Sequence, residues 1–372
     1  MTANGNRSVP GFARYITILF AVMAFIIGST WIYTTRYPLY FQESGYTVWS
    51  SKYEFIHSCD FGSTVLLGDS RAQSAFMPDL LEQKATNLSF GAATPIELYI
   101  TATHVFECRN VPKRMFVSLA SVEFLLIQKF LWENGARYGF FSFADLRGIA
   151  AAEKAIGDSA VNDTATRDGA NGLMRDALYG FHFPSIYFNS LVQGRVFRRY
   201  RQNARLLATA RQARGFLAFA SQGTGALPGR EVGHPEFDPL PIQDYFFDRL
   251  LSMAEQRGVA LDFVAAPISA TTSAEMAPAF RDGFERYLRR YEARYPNFHV
   301  VSPLFYTVPT EMFADTDHLN IAGARFFTGR LASCLADLQA RTIGIDQTWN
   351  CTSLRSPTAT SSNAGPSRRE DR

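Results

Sequence analysis

From Tyr15 to Tyr33 the chain carries no charged residue, a run long enough to cross a bilayer as one helix. In hydrocarbon the backbone must satisfy its own polar groups, so a helix is the only form open to a single such run. Arg7 and Arg14 precede it, whereas the far flank has only Arg36 before Glu43. That bias places residues 1–14 in the cytoplasm, the span at 15–34 in the inner (cytoplasmic) membrane, and the rest outside, on the periplasmic side. Trp31, Tyr33, Tyr37 and Tyr40 suit the far interface, where amphipathic rings settle. A cleaved signal peptide would have a shorter apolar region and an Ala-x-Ala-like site. Gly28-Ser29-Thr30 is only a faint substitute, so a single-pass, uncleaved signal anchor is expected.

Beyond a juxtamembrane linker at 35–58, apolar runs alternate with helix-like segments. Strands are expected at Thr64–Leu67, Met115–Leu119, Val259–Ala265 and Phe298–Val301; helices are expected at Ile242–Arg257, Pro278–Tyr295 and Ile321–Leu335. Gly258 is placed to end the first of these helices. Alternation of this kind implies an α/β fold, a three-layer α/β/α sandwich with a mainly parallel sheet, over 59–345. At 372 residues and 47% hydrophobic, the chain can bury one substantial core. A segment at about 130–240 lacks convincing strands and is expected as a helical insertion, with helix-like pieces at Gly148–Ile156 and Phe197–Phe219. Its aromatics, Tyr138, Phe140, Phe141, Phe143, Tyr179, Phe181, Phe183, Tyr187 and Phe188, could build a small core or line a groove that stacks on sugar faces. Residues 352–372 have no apolar period and are expected to be disordered.

The first strand breaks into Gly68-Asp69-Ser70-Arg71, which displays a serine at a strand's C-terminal end, where open α/β sheets bind ligands. A hydroxyl is a weak nucleophile until a base takes its proton. Asp315-Thr316-Asp317-His318-Leu319-Asn320 supplies an imidazole and carboxylates in a loop after the last strand, and Asn320 can cap the helix that follows. Gly157-Asp158-Ser159 repeats the tripeptide, but it follows a helix-like run and reads as a turn.

These blocks resemble the SGNH hydrolase family, whose first block is Gly-Asp-Ser and whose last is Asp-x-x-His. The resemblance makes Ser70 the nucleophile, His318 the base and Asp315 its orienting carboxylate; Asp317 is the alternative, otherwise solvated or bound to backbone. It also matches the family's second block to Asn87-Leu88-Ser89-Phe90-Gly91, so that the backbone N–H groups of Ser70 and Gly91 would form the oxyanion hole. Arg71 and Asn87 are candidates for the substrate side. The third block, Gly-x-Asn-Asp in the family, is replaced by Ala120-Ser121-Val122-Glu123, which has no asparagine to donate. Losing one oxyanion donor can cost on the order of a hundredfold in rate. The anchored layout looks like the SGNH-type proteins that acetylate exported polysaccharides such as alginate or cellulose. That likeness implies an acylated donor, a polysaccharide acceptor, and a multi-span membrane acyltransferase or polysaccharide synthase complex as partners. A carbohydrate esterase or deacetylase and a non-catalytic envelope scaffold are the alternatives.

An oxidising compartment allows disulfides. Cys59 and Cys108 both precede strands and can bridge; Cys334 and Cys351 make a second candidate pair. No Cys/His grouping has zinc-ligand spacing, so neither metal nor cofactor is expected. A net charge of +3 is too slight to imply nucleic acid. The stretch Arg195–Arg214 is locally basic, either as a solvated helix face or as a docking face for an acidic glycan or anionic headgroups.

Overall fold

Strands β1 (Thr64–Gly68), β2 (Ala85–Asn87), β3 (Arg114–Ser118), β4 (Ala260–Phe263) and β6 (Phe298–Val300) are all parallel and lie in the order β2-β1-β3-β4-β6. A separate parallel pair joins β5 (Ile268–Ser269) to β7 (Thr307–Val308). The computed structural model describes residues 9–81, 84–129, 131–136, 138–161, 163, 196–220 and 227–341. The fold is mixed α/β with a mostly parallel sheet. Val65, Leu67, Met115, Val117, Leu261 and Phe263 join one apolar cluster, while Leu66 and Phe116 join another. Strands buried on both faces read as near-continuous apolar runs, which is why β1, β3 and β4 stand out in the sequence.

Helices Pro95–Phe106, Pro241–Gln256 and Pro278–Arg294 contribute Ile100, Phe247 and Phe284 to the first cluster. Ser70–Ala75 and Ile321–Arg341 contribute Ala72, Phe327 and Leu331 to the second. Local chemistry sets their ends. Thr94 and Glu97 form a capping box at the start of Pro95–Phe106, and Gly258 takes φ +65° just past Pro241–Gln256.

The helix Val9–Arg36 contains the expected span; the most apolar 18-residue window of its Gly11–Arg36 stretch has a mean hydropathy of 2.0, and none of that window is buried in the protein. Residues 35–58 are not a linker. Pro38–Phe41 and Ser44–His57 are helical, and Trp49, Tyr53 and Ile56, spaced for one helix face, are buried in the first core cluster.

The insertion supplies Phe143–Ile156 and Val196–Gln212, the latter shorter than expected because Arg214 and Gly215 take positive φ. Three of the aromatics named for it build core. Tyr138 and Phe141 are buried, and Phe140 packs on Trp49 and Tyr53. Phe143 is exposed beneath Arg147, and the other five aromatics lie outside the described residues. Cys59 and Cys108 are bridged, tying Ser44–His57 to the end of Pro95–Phe106 beside the sheet's N-terminal edge. Cys334 is also disulfide-bonded; Cys351, like 352–372, lies outside the described residues.

Candidate active site

The chain steps from β1 outward to β2 and then returns past β1 to β3, so the strand order reverses between β1 and β3. A crevice outside the C-terminal ends of the strands at such a point is where open α/β sheets hold ligands. Ser70 stands there, and each residue of its turn has a physical reason. A Cβ on Gly68 would collide with the Ser118 carbonyl oxygen and the Ala72 methyl, so only glycine lets β1 and β3 end this close to the helix. Asp69 is buried; Oδ1 accepts from the N–H groups of Arg71 at 2.9 Å and Ala72 at 3.2 Å, and Oδ2 accepts from Ala120 N–H at 2.8 Å. One carboxylate therefore caps the serine helix and fastens it to the end of β3. Ser70, the first residue of that helix, is left half-buried with its side chain directed at the last loop.

That loop is shaped by its own bonds. Ala314 N–H donates to His318 O at 2.7 Å, and Asn320 Oδ1 accepts from Gly323 N–H at 3.0 Å, capping Ile321–Arg341 as expected. His318 Nε2 lies 2.8 Å from Ser70 Oγ, and its Nδ1 lies 2.8 and 2.9 Å from the two Asp315 oxygens. A carboxylate at Nδ1 selects the tautomer protonated there and leaves Nε2 to accept the serine proton. Burial alone would raise the Asp315 carboxyl; the Asp317 N–H and the His318 ring outweigh it and hold the group below the ordinary carboxylate range. Phe219, from the insertion, stacks on the imidazole with centroids 4.0 Å apart and planes at 13°. It covers one ring face and leaves the edge nitrogens engaged.

Phe90 N–H donates to Gly68 O at 2.9 Å, carrying the segment after β2 alongside the end of β1 and delivering Gly91 next to the serine turn. Gly91 is half-buried, and the space where a Cβ would stand is empty. Asn87 does not face this space. Its amide donates to the carbonyls of Ala72 and Phe76 at 3.1 and 3.0 Å and accepts from Ser89 N–H, which makes it an internal brace between β2 and the serine helix.

Arg71 is likewise internal rather than on the substrate side. It is buried, forms a two-pronged pair with Glu231 at 2.5 and 2.9 Å, and also binds Asp317. Asp317 is thus neither solvated nor bound to backbone through its side chain: it ties the histidine loop to the serine helix. Arg230 joins the fully buried Glu123 and reaches Asp317 at 3.9 Å. Burial raises the Glu123 carboxyl, with Arg230 pulling it back. The residues replacing the third block therefore present a carboxylate that anchors the insertion, and Glu231, Arg230 and Phe219 are site residues that sequence reasoning missed. Glu231 lies 160 positions from its partner, with no local pattern to mark it. Gly157-Asp158-Ser159 is a helix end; Gly157 is left-handed, and Ser159 bonds Asp163.

Ser70, His318 and Asp315 come together from the two ends of the sheet sequence, and that arrangement can deprotonate an alcohol. Neither a family model, a curated protein nor a solved structure matches the chain.

Proposed function

We propose that the chain is a membrane-anchored serine acyl-transfer enzyme of SGNH type, an O-acetyltransferase acting on an exported polysaccharide. The observation that carries the reading is the unbroken relay from Asp315 through His318 to the Ser70 hydroxyl, with both contacts at 2.8 Å. In that geometry His318 Nε2 takes the proton as Ser70 Oγ attacks the ester carbonyl, and the alkoxide leaving group takes that proton as the acyl-enzyme forms. A sugar hydroxyl then gives its proton to the same nitrogen and attacks the acyl carbon, and Ser70 Oγ leaves with that proton returned from His318. The developing oxyanion would be met by the N–H groups of Ser70 and Gly91, for which the described residues offer no competing acceptor.

The sheet order, with its reversal beside Ser70, supports the three-layer SGNH-type architecture. The basic flank before the span and the Cys59–Cys108 bridge support an extracytoplasmic domain on the inner membrane. An acyl donor and a polysaccharide delivered by a synthase or a multi-span acyltransferase are the partners that such a placement calls for.

The test is the full chain in detergent with a chromogenic acetyl ester, with and without oligosaccharide acceptor. Acetylated sugar formed by the parent and lost in Ser70→Ala is the expected result. Acetate released at one rate whether or not sugar is present identifies a hydrolase instead, and activity equal in parent and Ser70→Ala removes the reading.

A further inference from the structure

The helix Val196–Gln212 carries five arginines and no acidic residue. Two of the five are engaged: Arg211 pairs with Glu54 at 2.6 Å, and Arg199 reaches the Phe41 carbonyl at 3.4 Å. Arg198, Arg201 and Arg205 are exposed, and no partner among the described residues holds them. Their i, i+3, i+7 spacing puts all three on one line. At about 100° per residue that line lies about 180° from the buried stripe of Asn203, Leu207 and Ala210. The arginines are therefore not incidental to packing; they form the outer face of the helix, with Phe197, 76% exposed, beside its first turn.

What the inner face packs against fixes where the outer face sits. Asn203 donates to the carbonyls of Leu39 and Gln42, each at 2.9 Å, and Tyr200 stacks on Tyr40 with centroids 4.2 Å apart. Leu39 and Tyr40 belong to the helix Pro38–Phe41 and Gln42 is its C-cap; only Tyr37 separates that helix from Arg36, the end of the span. The basic helix is thereby clamped to the first residues that leave the membrane. We infer that Arg198, Arg201 and Arg205 dock on anionic lipid headgroups, so that the domain is held against the bilayer at a second point besides its span.

Charge complementarity favours lipid over other occupants because the chain's own anchor holds this basic helix within a few residues of the headgroup layer. Basic side chains near an anionic surface are attracted strongly, and salt screens the attraction over a distance of about 8–10 Å. The proposal is independent of the catalytic reading.

The experiment uses the full chain, labelled with an environment-sensitive fluorophore at Ala208→Cys, an exposed position beside the arginine line. It is reconstituted in discs of phosphatidylcholine alone or of equal parts phosphatidylcholine and phosphatidylglycerol. Expected are blue-shifted emission and quenching by spin-labelled lipid in the anionic discs only, with at least half the quenching lost in high salt. The combined Arg198→Gln, Arg201→Gln, Arg205→Gln variant should remove the difference between the two discs. Salt titration of the parent reads the same contact without relying on the variant's folding. Equal quenching in both discs, or quenching insensitive to salt, overturns the proposal. A shift caused by soluble acidic oligosaccharide in the uncharged discs, with none caused by anionic lipid, assigns the face to glycan and also overturns it.

Discussion

Asp69 is the residue whose replacement most directly tests how the serine is held. Its two oxygens collect three backbone N–H groups, from Arg71, Ala72 and Ala120, and all of this is buried. Asp69→Ala removes the helix cap, worth about 1 kcal/mol. It also strands the Ala120 N–H without an acceptor, at roughly 1–3 kcal/mol. The sum is a loss of about 3 kcal/mol, while the Ser70 side chain itself is untouched. Asp69→Asn can keep the capping oxygen but turns an NH₂ toward Ala120, so about 2 kcal/mol should be lost. If Asp69 mattered only as a negative charge near Arg71, Asn and Ala would be equally damaging; if its hydrogen bonds matter, Asn falls between Ala and the parent. Urea unfolding of the detergent-solubilised chain, followed by far-ultraviolet dichroism, measures both variants, and ester turnover should fall in the same order. A loss under about 1 kcal/mol for Asp69→Ala, or identical losses for the two variants, would refute the clamp.

Asp315→Asn should lower ester turnover on the order of 10³–10⁴-fold, because an amide no longer selects the Nδ1–H tautomer of His318; turnover within tenfold of the parent removes Asp315 from the relay. Its carboxyl is held below the ordinary range, so the stabilisation it gives is complete at neutral pH and disappears only as pH falls through that lowered value. Glu97 runs the other way. Burial lifts it from 4.5 to about 7, against the hydrogen bonds from Thr94, so the folded chain keeps a proton that the unfolded chain has lost. Stability should therefore decline by roughly 3 kcal/mol as pH rises between those two values. Glu97→Gln, which keeps an oxygen for Thr94, should flatten the decline; equal slopes in variant and parent from about pH 5 to pH 8 would sink that account.

Strands β1, β3, β4 and β6 were legible because burial on both faces writes uninterrupted apolar runs, as in Val65–Leu67 and Met115–Val117, whereas β2, β5 and β7, of two or three residues each, are too short to write such a run. Ser70, His318 and Asp315 were legible as a group because the turn and loop chemistry around them is local. What stayed hidden is pairing over long separations. Nothing in a sequence distinguishes an Arg71 aimed at substrate from one aimed at Glu231, or an Asn87 facing a ligand from one bracing the Ala72 and Phe76 carbonyls. The helix Ser44–His57 had a usable signal in the spacing of Trp49, Tyr53 and Ile56, but its closeness to the span drew it into the linker.

That helix changes how the site and the membrane are related. Lys52, fully buried within it, donates to the carbonyls of Asn87 and Gly215, joining the membrane-proximal helices to the edge strand of the sheet. Burial pushes its ammonium well below the ordinary lysine range, and no carboxylate is needed to hold it there. The chain leaving that edge strand runs on through Ser89 to Gly91. From the end of the span at Arg36, the path to Gly91 therefore runs through packed helices and a strand, with no flexible tether. Under the proposed anchoring, a site mounted this way does not swing out to meet a distant polymer, and a substrate has to come to the membrane surface. Under the proposed activity, that condition selects acceptor chains still emerging from an export machine over finished chains free in solution.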